Sequence, residues 1–259
     1  MSKGTRYKKN EKSENIKKII SLVFLLFFFI LFIVSGIKII NYLKDAKKNE
    51  KLIYEISKDI EVERDNNDNN AIRYNINFTS LKEKESDTVG FIKVNGTDIE
   101  HIVVQGKDNS YYLTHDFERD YNSAGWIFMD YHNKLDGSDK NIIIYGHNMR
   151  NNTMFGTLKN VLKKDWFEDK KNRYITFITE NEKAMYEVFS VYQIEAEDYY
   201  LKTSFNTGEF KKYIDSMKDR SKYDFNCNVT EDDSVLTLST CANNNKYRVV
   251  LHAKKIKEQ

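Results

Sequence analysis

Proline is absent from the 259-residue chain, and cysteine occurs only twice. The lack of proline excludes proline-rich linkers, PxxP ligands and switches that depend on a cis-proline bond. Two cysteines are too few for a disulfide scaffold or a four-cysteine zinc site. Hydrophobic residues nevertheless make up 40% of the chain and aromatic residues 14%, which is enough for a core and excludes a wholly disordered protein.

The sequence also lacks the motifs of metal, nucleotide and nucleic-acid sites. It contains no HExxH, CxxC, P-loop or GxGxxG pattern. Its 41 basic and 39 acidic residues almost cancel, and basic residues are not interleaved with aromatic ones as on a nucleic-acid surface. We therefore expect no metal, no cofactor and no nucleic-acid partner.

Charge is distributed unevenly along the chain. Residues 1–18 contain seven basic and two acidic side chains, a net charge of +5, which leaves 34 basic and 37 acidic residues for the remainder. The uncharged segment 19–37 follows, and as a helix it would be roughly 28 Å long, close to the thickness of a bilayer core. This pattern predicts one transmembrane anchor, and a cleaved signal peptide is the alternative.

The flanks of the anchor predict its orientation. Seven basic residues precede it, and four lysines follow between positions 38 and 48. The positive-inside rule then places the N-terminus in the cytoplasm and the body of the protein outside. We divide the chain into a cytoplasmic arm (1–18), a transmembrane anchor (19–37), a helical stalk with a polar linker (38–70) and an extracellular domain (71–259).

Hydrophobic periodicity predicts a helix over residues 39–60, either a stalk or a helix packed on the domain. Leu52, Ile56 and Ile60 form its apolar stripe. The polar run 64–70 that follows is expected to be a loop or hinge.

From position 88 onward, the chain consists of short segments rich in β-branched and aromatic residues and bounded by Gly, Asn or Asp. We predict strands near 88–94, 101–105, 126–130, 141–145, 174–179, 184–196, 234–238 and 247–254. Two short amphipathic helices interrupt them, near 155–162 and 210–217. Many short strands without alternating helices predict an antiparallel or mixed β-barrel.

Cys241, His147 and Arg248 are the residues best suited to chemistry. Cys241 ends a predicted strand, where a thiolate beside a cation would be a good nucleophile. His147 also ends a strand, and Gly146 before it is expected to let the backbone turn, so that the imidazole points out of the sheet. A tight turn at 243–245 would bring Arg248 almost opposite Cys241.

These residues also have other interpretations. A lone cysteine is commonly a buried apolar residue, and Cys227 could form a disulfide with Cys241 in an extracellular domain. Such a disulfide would remove the nucleophile. His252 is the second candidate for the base, and the remaining competitors are His101, His115 and His132.

The segments YGHNM (145–149) and TLSTC (237–241), with Arg248 on the next strand, resemble those of class B sortases. Further support comes from segments at 90–94, 103–105, 111–115, 125–130 and 154–158, and the resemblance covers about residues 71–254. It implies an eight-stranded sortase-type β-barrel with short helices, in addition to the N-terminal helical region and the one transmembrane helix.

The resemblance also implies an activity, that of a membrane-anchored cysteine transpeptidase of a Gram-positive bacterium. Cys241 would attack a Thr carbonyl in the C-terminal sorting motif of a surface protein and form a thioacyl-enzyme. His147 would transfer protons, and Arg248 would hold the carbonyl or stabilise the oxyanion. An amine of a peptidoglycan precursor would release the product. Ser239 is expected to contact the substrate.

Three alternative functions accompany this one. They are a pilin-polymerising sortase, a papain-like cysteine peptidase, and a non-catalytic anchored binding module with a Cys227–Cys241 disulfide. A papain-like peptidase usually has its cysteine before its histidine in sequence, whereas His147 precedes Cys241. No acidic residue is evident that would orient His147.

Overall fold

The computed structural model describes residues 3–65, 71–241 and 246–256, and the side chains of residues 14–63, 73–240 and 246–256. It divides the chain into two compact units, Met1–Asp45 and Ala46–Gln259. The side chains at the start of the basic arm, most of the predicted polar loop, the predicted turn at 243–245 and the side chain of Cys241 therefore lie outside the described residues.

The first unit is part of helix α1, which extends over Lys3–Ile56. The apolar side chains of segment 19–37 are exposed on it. Among the described residues, this is the one helix long and apolar enough to cross a membrane, with a mean hydropathy of 3.0 over its best window. A helix that is apolar on every side is typical of a membrane span.

The last turns of α1, from Ala46 onward, belong to the second unit and pack on it. Ala46, Asn49, Leu52 and Ile56 are buried. The predicted helix end at Ile60 is wrong, because α1 ends at Ile56 and Ile60 instead begins a strand.

Sequence patterns did not predict the next three elements. Strand β1 (Ile60–Asp65) pairs antiparallel with β2 (Ala71–Ile76), and helix α2 (Phe78–Lys84) follows. The side chain of Asn77 caps α2 by accepting a hydrogen bond from the main-chain N–H of Ser80, at 3.0 Å. Four of the six residues of β1 are charged, whereas β2 alternates apolar and polar residues from Ile72 to Ile76.

Eight strands form a closed, mixed barrel, as the pattern and the resemblance predicted. They are β3 (Thr88–Val94), β4 (Glu100–Val104), β5 (Phe128–Met129), β6 (Asn141–His147), β7 (Tyr174–Ile178), β8 (Lys183–Glu195), β9 (Val235–Cys241) and β10 (Tyr247–Ile256). Their order around the barrel is β10-β8-β7-β3-β4-β5-β6-β9. The β4–β5 and β6–β9 pairs are parallel, and the other barrel pairs are antiparallel.

Two further helices lie in the connections between strands. Helix α3 (Lys164–Glu168) was not predicted, and α4 (Glu209–Asp219) confirms the helix predicted between β8 and β9. The helix predicted over 155–162 is only partly right. A 3-10 helix covers Leu158–Leu162, whereas Phe155 lies in the preceding turn, where its N–H donates to the carbonyl of His147 at 3.0 Å.

Candidate functional site

The ends of β6, β9 and β10 bring the predicted residues together. Strands β6 and β9 are parallel, and the last pair in their register is His147 with Cys241. On the other side of β9, antiparallel β10 pairs Val250 with Ser239, and Arg248 and Cys241 each lie two residues beyond this pair on their strands. Neighbouring strands are about 4.8 Å apart. The three candidates therefore form a row across three strands, with Cys241 in the middle.

Packing inside the barrel explains how β6 can reach this position. A Cβ atom on Gly146 would lie 2.4 Å from Cδ1 of Ile127 and 2.8 Å from Cγ of Phe155. Glycine is therefore required by close packing, and the prediction that it turns the backbone is wrong, because β6 continues through His147.

The hydrogen bond of His147 determines its tautomer. The ring is 6% exposed, and its Nε2 lies 2.7 Å from the main-chain carbonyl oxygen of Leu113. A carbonyl can only accept, so Nε2 carries the proton and donates it, and the lone pair of the neutral ring is on Nδ1. This Nδ1 is buried and has no hydrogen-bond partner among the described residues.

The surroundings of His147 keep its ring neutral at pH 7. Burial lowers the pKa of His147, the nearby charge of Arg248 lowers it further, and the bond to the Leu113 carbonyl opposes both. A neutral imidazole with a free Nδ1 can accept a proton. The main-chain carbonyl of Leu113 orients the ring, a role for which the sequence shows no acidic residue. Residue types do not reveal a main-chain contact, so the sequence could not predict this one.

Arg248 and His147 line the same cleft, which has a volume of about 370 Å³. Arg248 is half-buried, and its Nη1 is buried without a hydrogen-bond partner in the described part of the chain. The cleft thus combines an available guanidinium donor, an available imidazole acceptor and room for a few residues of a peptide.

Ser239, the predicted substrate contact, also lines this cleft. It is 1% exposed, and its hydroxyl is 2.8 Å from the hydroxyl of Tyr200, which lies in the connection between β8 and α4. The side chain of Ser239 is thus hydrogen-bonded within the wall of the cleft.

Asp130 holds another part of the cleft in place. Its buried carboxylate accepts hydrogen bonds from Nδ2 of Asn109 and from the hydroxyl of Tyr145, both at 2.7 Å. Burial alone would raise the pKa of Asp130, but hydrogen bonds from His132 and Tyr145 hold it below its ordinary value. No local sequence pattern indicates Asp130, because its partners Asn109, His132 and Tyr145 come from three different segments.

His252 is not a base, and that alternative is wrong. The ring is fully buried, with Nε2 2.9 Å from the hydroxyl of Tyr192 and Nδ1 2.9 Å from the hydroxyl of Thr237. Burial lowers the pKa of His252 to about 3. Both nitrogens are engaged in the barrel interior.

Cys227 is a free, buried thiol, so the alternative of a Cys227–Cys241 disulfide is wrong. Its sulfur lies 3.8 Å from a carboxylate oxygen of Glu187. Burial, together with the negative charge of Glu187, raises the pKa of Cys227 to about 11. At neutral pH this group is a protonated thiol and a poor nucleophile.

Comparisons with known proteins identify chains that are similar to this one in sequence and fold. A family model described as a sortase domain matches residues 92–256. Sortase B of Staphylococcus aureus (strain NCTC 8325 / PS 47) is 39% identical over 184 residues, which are 70% of this chain and 75% of that protein. Sortase B of Listeria monocytogenes serovar 1/2a is 38% identical over 180 residues, 67% of this chain and 72% of that protein.

A solved structure, the S. aureus sortase B–substrate complex, is similar with a TM-score of 0.66 and 39% identity. The similarity covers 70% of this chain and 84% of that one. The region matched by the family model contains His147, Cys241 and Arg248.

Proposed function

Because the chain belongs to the sortase family and is a cysteine transpeptidase, we propose that Cys241, His147 and Arg248 carry out its reaction. The observation that supports this assignment is the register of β6, β9 and β10, in which the three residues are neighbours on adjacent strands.

In the first half-reaction, the neutral His147 accepts the thiol proton of Cys241 at Nδ1. The thiolate attacks the carbonyl carbon of a Thr in the sorting motif and forms a tetrahedral intermediate. As the peptide C–N bond breaks, the imidazolium donates its proton to the leaving amine. The products are a thioacyl-enzyme and the released C-terminal fragment.

In the second half-reaction, an acceptor amine attacks the thioester and Cys241 leaves as a thiolate. Nδ1 of His147 accepts the proton that the amine loses, and this proton returns to the thiolate. Both halves require at their start a neutral imidazole with its proton on Nε2, the tautomer inferred from the Leu113 bond in a ring whose pKa is lowered by burial.

Arg248 stabilises the oxyanion in both halves. Its guanidinium is always charged, and a buried Nη1 without a partner among the described residues can donate to a developing negative charge at little reorganisation cost.

The donor substrate is a surface protein with a C-terminal sorting motif, and the acceptor is an amine of a peptidoglycan precursor. One relative, the sortase B of S. aureus, was solved as a substrate complex. A cleft of about 370 Å³ beside the three residues suits a short peptide segment.

Residues 19–37 anchor the enzyme in the cell membrane, with the basic arm 1–18 in the cytoplasm and the catalytic domain 71–259 outside. The +5 charge of the arm supports this orientation through the positive-inside rule. Residues 38–70 connect the two parts.

The test is a transfer reaction with the full-length protein in detergent micelles. A library of peptides with Thr near the C-terminus is offered with either triglycine or Nα-acetyl-lysine, and products are identified by mass spectrometry. We expect a ligated product with triglycine that Cys241→Ala does not form. Ligation to the lysine amine alone would favour the pilin-polymerising alternative, and hydrolysis alone in excess amine would contradict the proposed transfer.

A further inference from the structure

Asn49 is an amide in the apolar face of a helix. On α1 it is fully buried, one turn from Ala46 and from Leu52, which are also buried. Leaving a buried amide without hydrogen bonds costs about 1–3 kcal/mol, so its partners are informative. Its Nδ2 donates to the main-chain carbonyl of Gly125 at 3.3 Å, and its Oδ1 accepts from Nδ2 of Asn122 at 2.7 Å.

Gly125 is in direct contact with the carbonyl that orients His147. It has a φ of +57°, and a Cβ atom there would lie 2.3 Å from the main-chain oxygen of Tyr112 and 2.8 Å from that of Leu113. The next residue, Trp126, donates its N–H to the Tyr112 carbonyl at 2.9 Å. The position of Gly125 therefore limits where the Leu113 carbonyl can lie.

Asn122, the second partner of Asn49, lies in the same turn as Gly125 and contacts the segment of Leu113 directly. Its main-chain N–H donates to the carbonyl of Thr114 at 2.9 Å, the residue directly after Leu113. Its side-chain oxygen accepts from the N–H of Ala124 at 3.0 Å. Asn49 thus bonds two residues of the turn 122–125, and this turn is hydrogen-bonded on both sides of Leu113, to Tyr112 through Trp126 and to Thr114 through Asn122.

Lys48, next to Asn49, adds an ionic contact to this loop. Its ammonium nitrogen is 2.7 Å from a carboxylate oxygen of Asp116 and 2.6 Å from one of Asp120. Two consecutive helix residues, Lys48 and Asn49, therefore contact the segment 116–125, which follows the carbonyl that accepts the hydrogen bond from Nε2 of His147.

We propose that Asn49 is a positioning residue for His147, which it orients through Gly125 and the carbonyl of Leu113. The inference rests on the proposed function, in which Nδ1 of His147 transfers the protons. An apolar side chain would satisfy the packing of this helix face, so the amide is explained by the loop that it holds. Loss of the amide is expected to release the Leu113 carbonyl and let the imidazole adopt both tautomers.

Asn49→Asp is the sharpest test. It keeps an oxygen that can accept from Asn122, but it replaces the donor that faces the Gly125 carbonyl with a second acceptor. Asn49→Ala removes both hydrogen bonds and is the replacement test if Asn49→Asp does not fold. The matched control is Lys51→Ala, on the same helix, because Lys51 is exposed and its ion pair is with Glu55 at 3.5 Å.

Two readouts are needed on the full-length protein in micelles, below the unfolding temperature of every variant. Two-bond ¹H–¹⁵N spectra of ¹⁵N-histidine report the tautomer of His147, whose signals are assigned by their loss in His147→Ala. Steady-state transfer with a peptide selected from the library gives kcat and KM separately.

We expect the wild type and Lys51→Ala to show the Nε2–H tautomer and equal kcat. The Asn49 variants should show a mixture of tautomers and a kcat roughly tenfold lower, with KM within about twofold because Asn49 does not line the cleft. A folded Asn49 variant that keeps the wild-type tautomer overturns the inference, whether or not kcat falls. If the wild type transfers no peptide, the proposed function fails, whereas the spectra still test the positioning role.

Discussion

The cleft at the end of β6 and the interior of the barrel each contain a buried histidine, and the two differ in their hydrogen bonds. Burial lowers the pKa of both His147 and His252. Both nitrogens of His252 are bonded to side-chain hydroxyls, whereas His147 is held through Nε2 by one main-chain carbonyl. A lowered pKa therefore does not by itself identify a base, and our proposal that His147 is the base depends on the available Nδ1 beside Cys241 and Arg248.

The two cysteines show the same contrast. Cys227 lies beside the carboxylate of Glu187, which together with burial keeps its thiol protonated. Cys241 ends β9 between the strand positions of His147, the proposed base, and Arg248, a cation. In the proposed mechanism, the sign of the neighbouring charge therefore favours Cys241 over Cys227 as the nucleophile.

The largest expected difference between the two regions is in the rate of transfer. His147→Gln should lower kcat/KM by about 10²–10⁴, because it removes the proton acceptor. His252→Gln is the matched control and should change kcat/KM by less than about tenfold, since it alters only the barrel interior. A larger loss for His252→Gln than for His147→Gln would reverse the assignment.

Replacement of the cation in the cleft should have the next largest effect. Arg248→Lys keeps the charge but loses the fork of donors, and we expect kcat to fall by about 10² with a smaller change in KM. The exposed Arg220, whose guanidinium lies 4.2 Å from the ring centroid of Tyr199, provides the control Arg220→Lys. Equal kcat values for the two variants would remove Arg248 from the mechanism.

His252, in the barrel interior, should instead make the folded state less stable at acid pH. The pKa of His252 falls from its ordinary value of 6.5 to about 3 in the folded state. Between these values the unfolded chain binds a proton that the folded chain does not, so stability falls as pH decreases through this range, by about 1.4 kcal/mol per unit. Above pH 6.5 this group contributes no pH dependence.

Urea unfolding of the wild type and His252→Gln at pH 7.5, 6 and 5 measures this slope. The variant should lose the pH dependence of stability that is due to His252. It should retain the pH dependence that is due to His101, because burial lowers the pKa of His101 to about 4. Identical slopes in the two proteins would show that His252 is accessible to protons.

The smallest expected effect is that of the interior cysteine. Cys227→Ala should leave kcat/KM within about twofold, because a thiol with a pKa of about 11 takes no part in the reaction. Iodoacetamide at pH 8, followed by peptide mapping, should modify Cys241 first. Earlier modification of Cys227 would contradict the contrast between the two thiols.

Sequence patterns predicted the positions of the barrel strands better than they predicted which strands pair. Eight strand segments could be identified from β-branched and aromatic residues, and their ends were mostly correct within two residues. The parallel β6–β9 pair joins segments about 90 residues apart, which a local pattern does not reveal. The adjacency of His147 and Cys241 could therefore be expected only from the family resemblance.

Other parts of the site depend on groups that carry no sequence signal. The Leu113 carbonyl is a main-chain atom, and its role depends on the loop geometry around Gly125. Asn49 looks like an ordinary polar residue in a charged helix, and its burial is evident only when the loop packs over it. Strands β1 and β2 were missed because they flank the polar run 64–70, which predicts a loop, although β2 itself alternates apolar and polar residues.

The central claim is that Cys241, placed between His147 and Arg248, is the nucleophile. The most direct measurement is the intact mass, followed by peptide mapping, of the full-length protein after incubation with the peptide library without an acceptor amine. We predict an acyl adduct on Cys241 that is absent in Cys241→Ala and unchanged in Cys227→Ala. An adduct on Cys227, or no adduct with any peptide, would contradict the account.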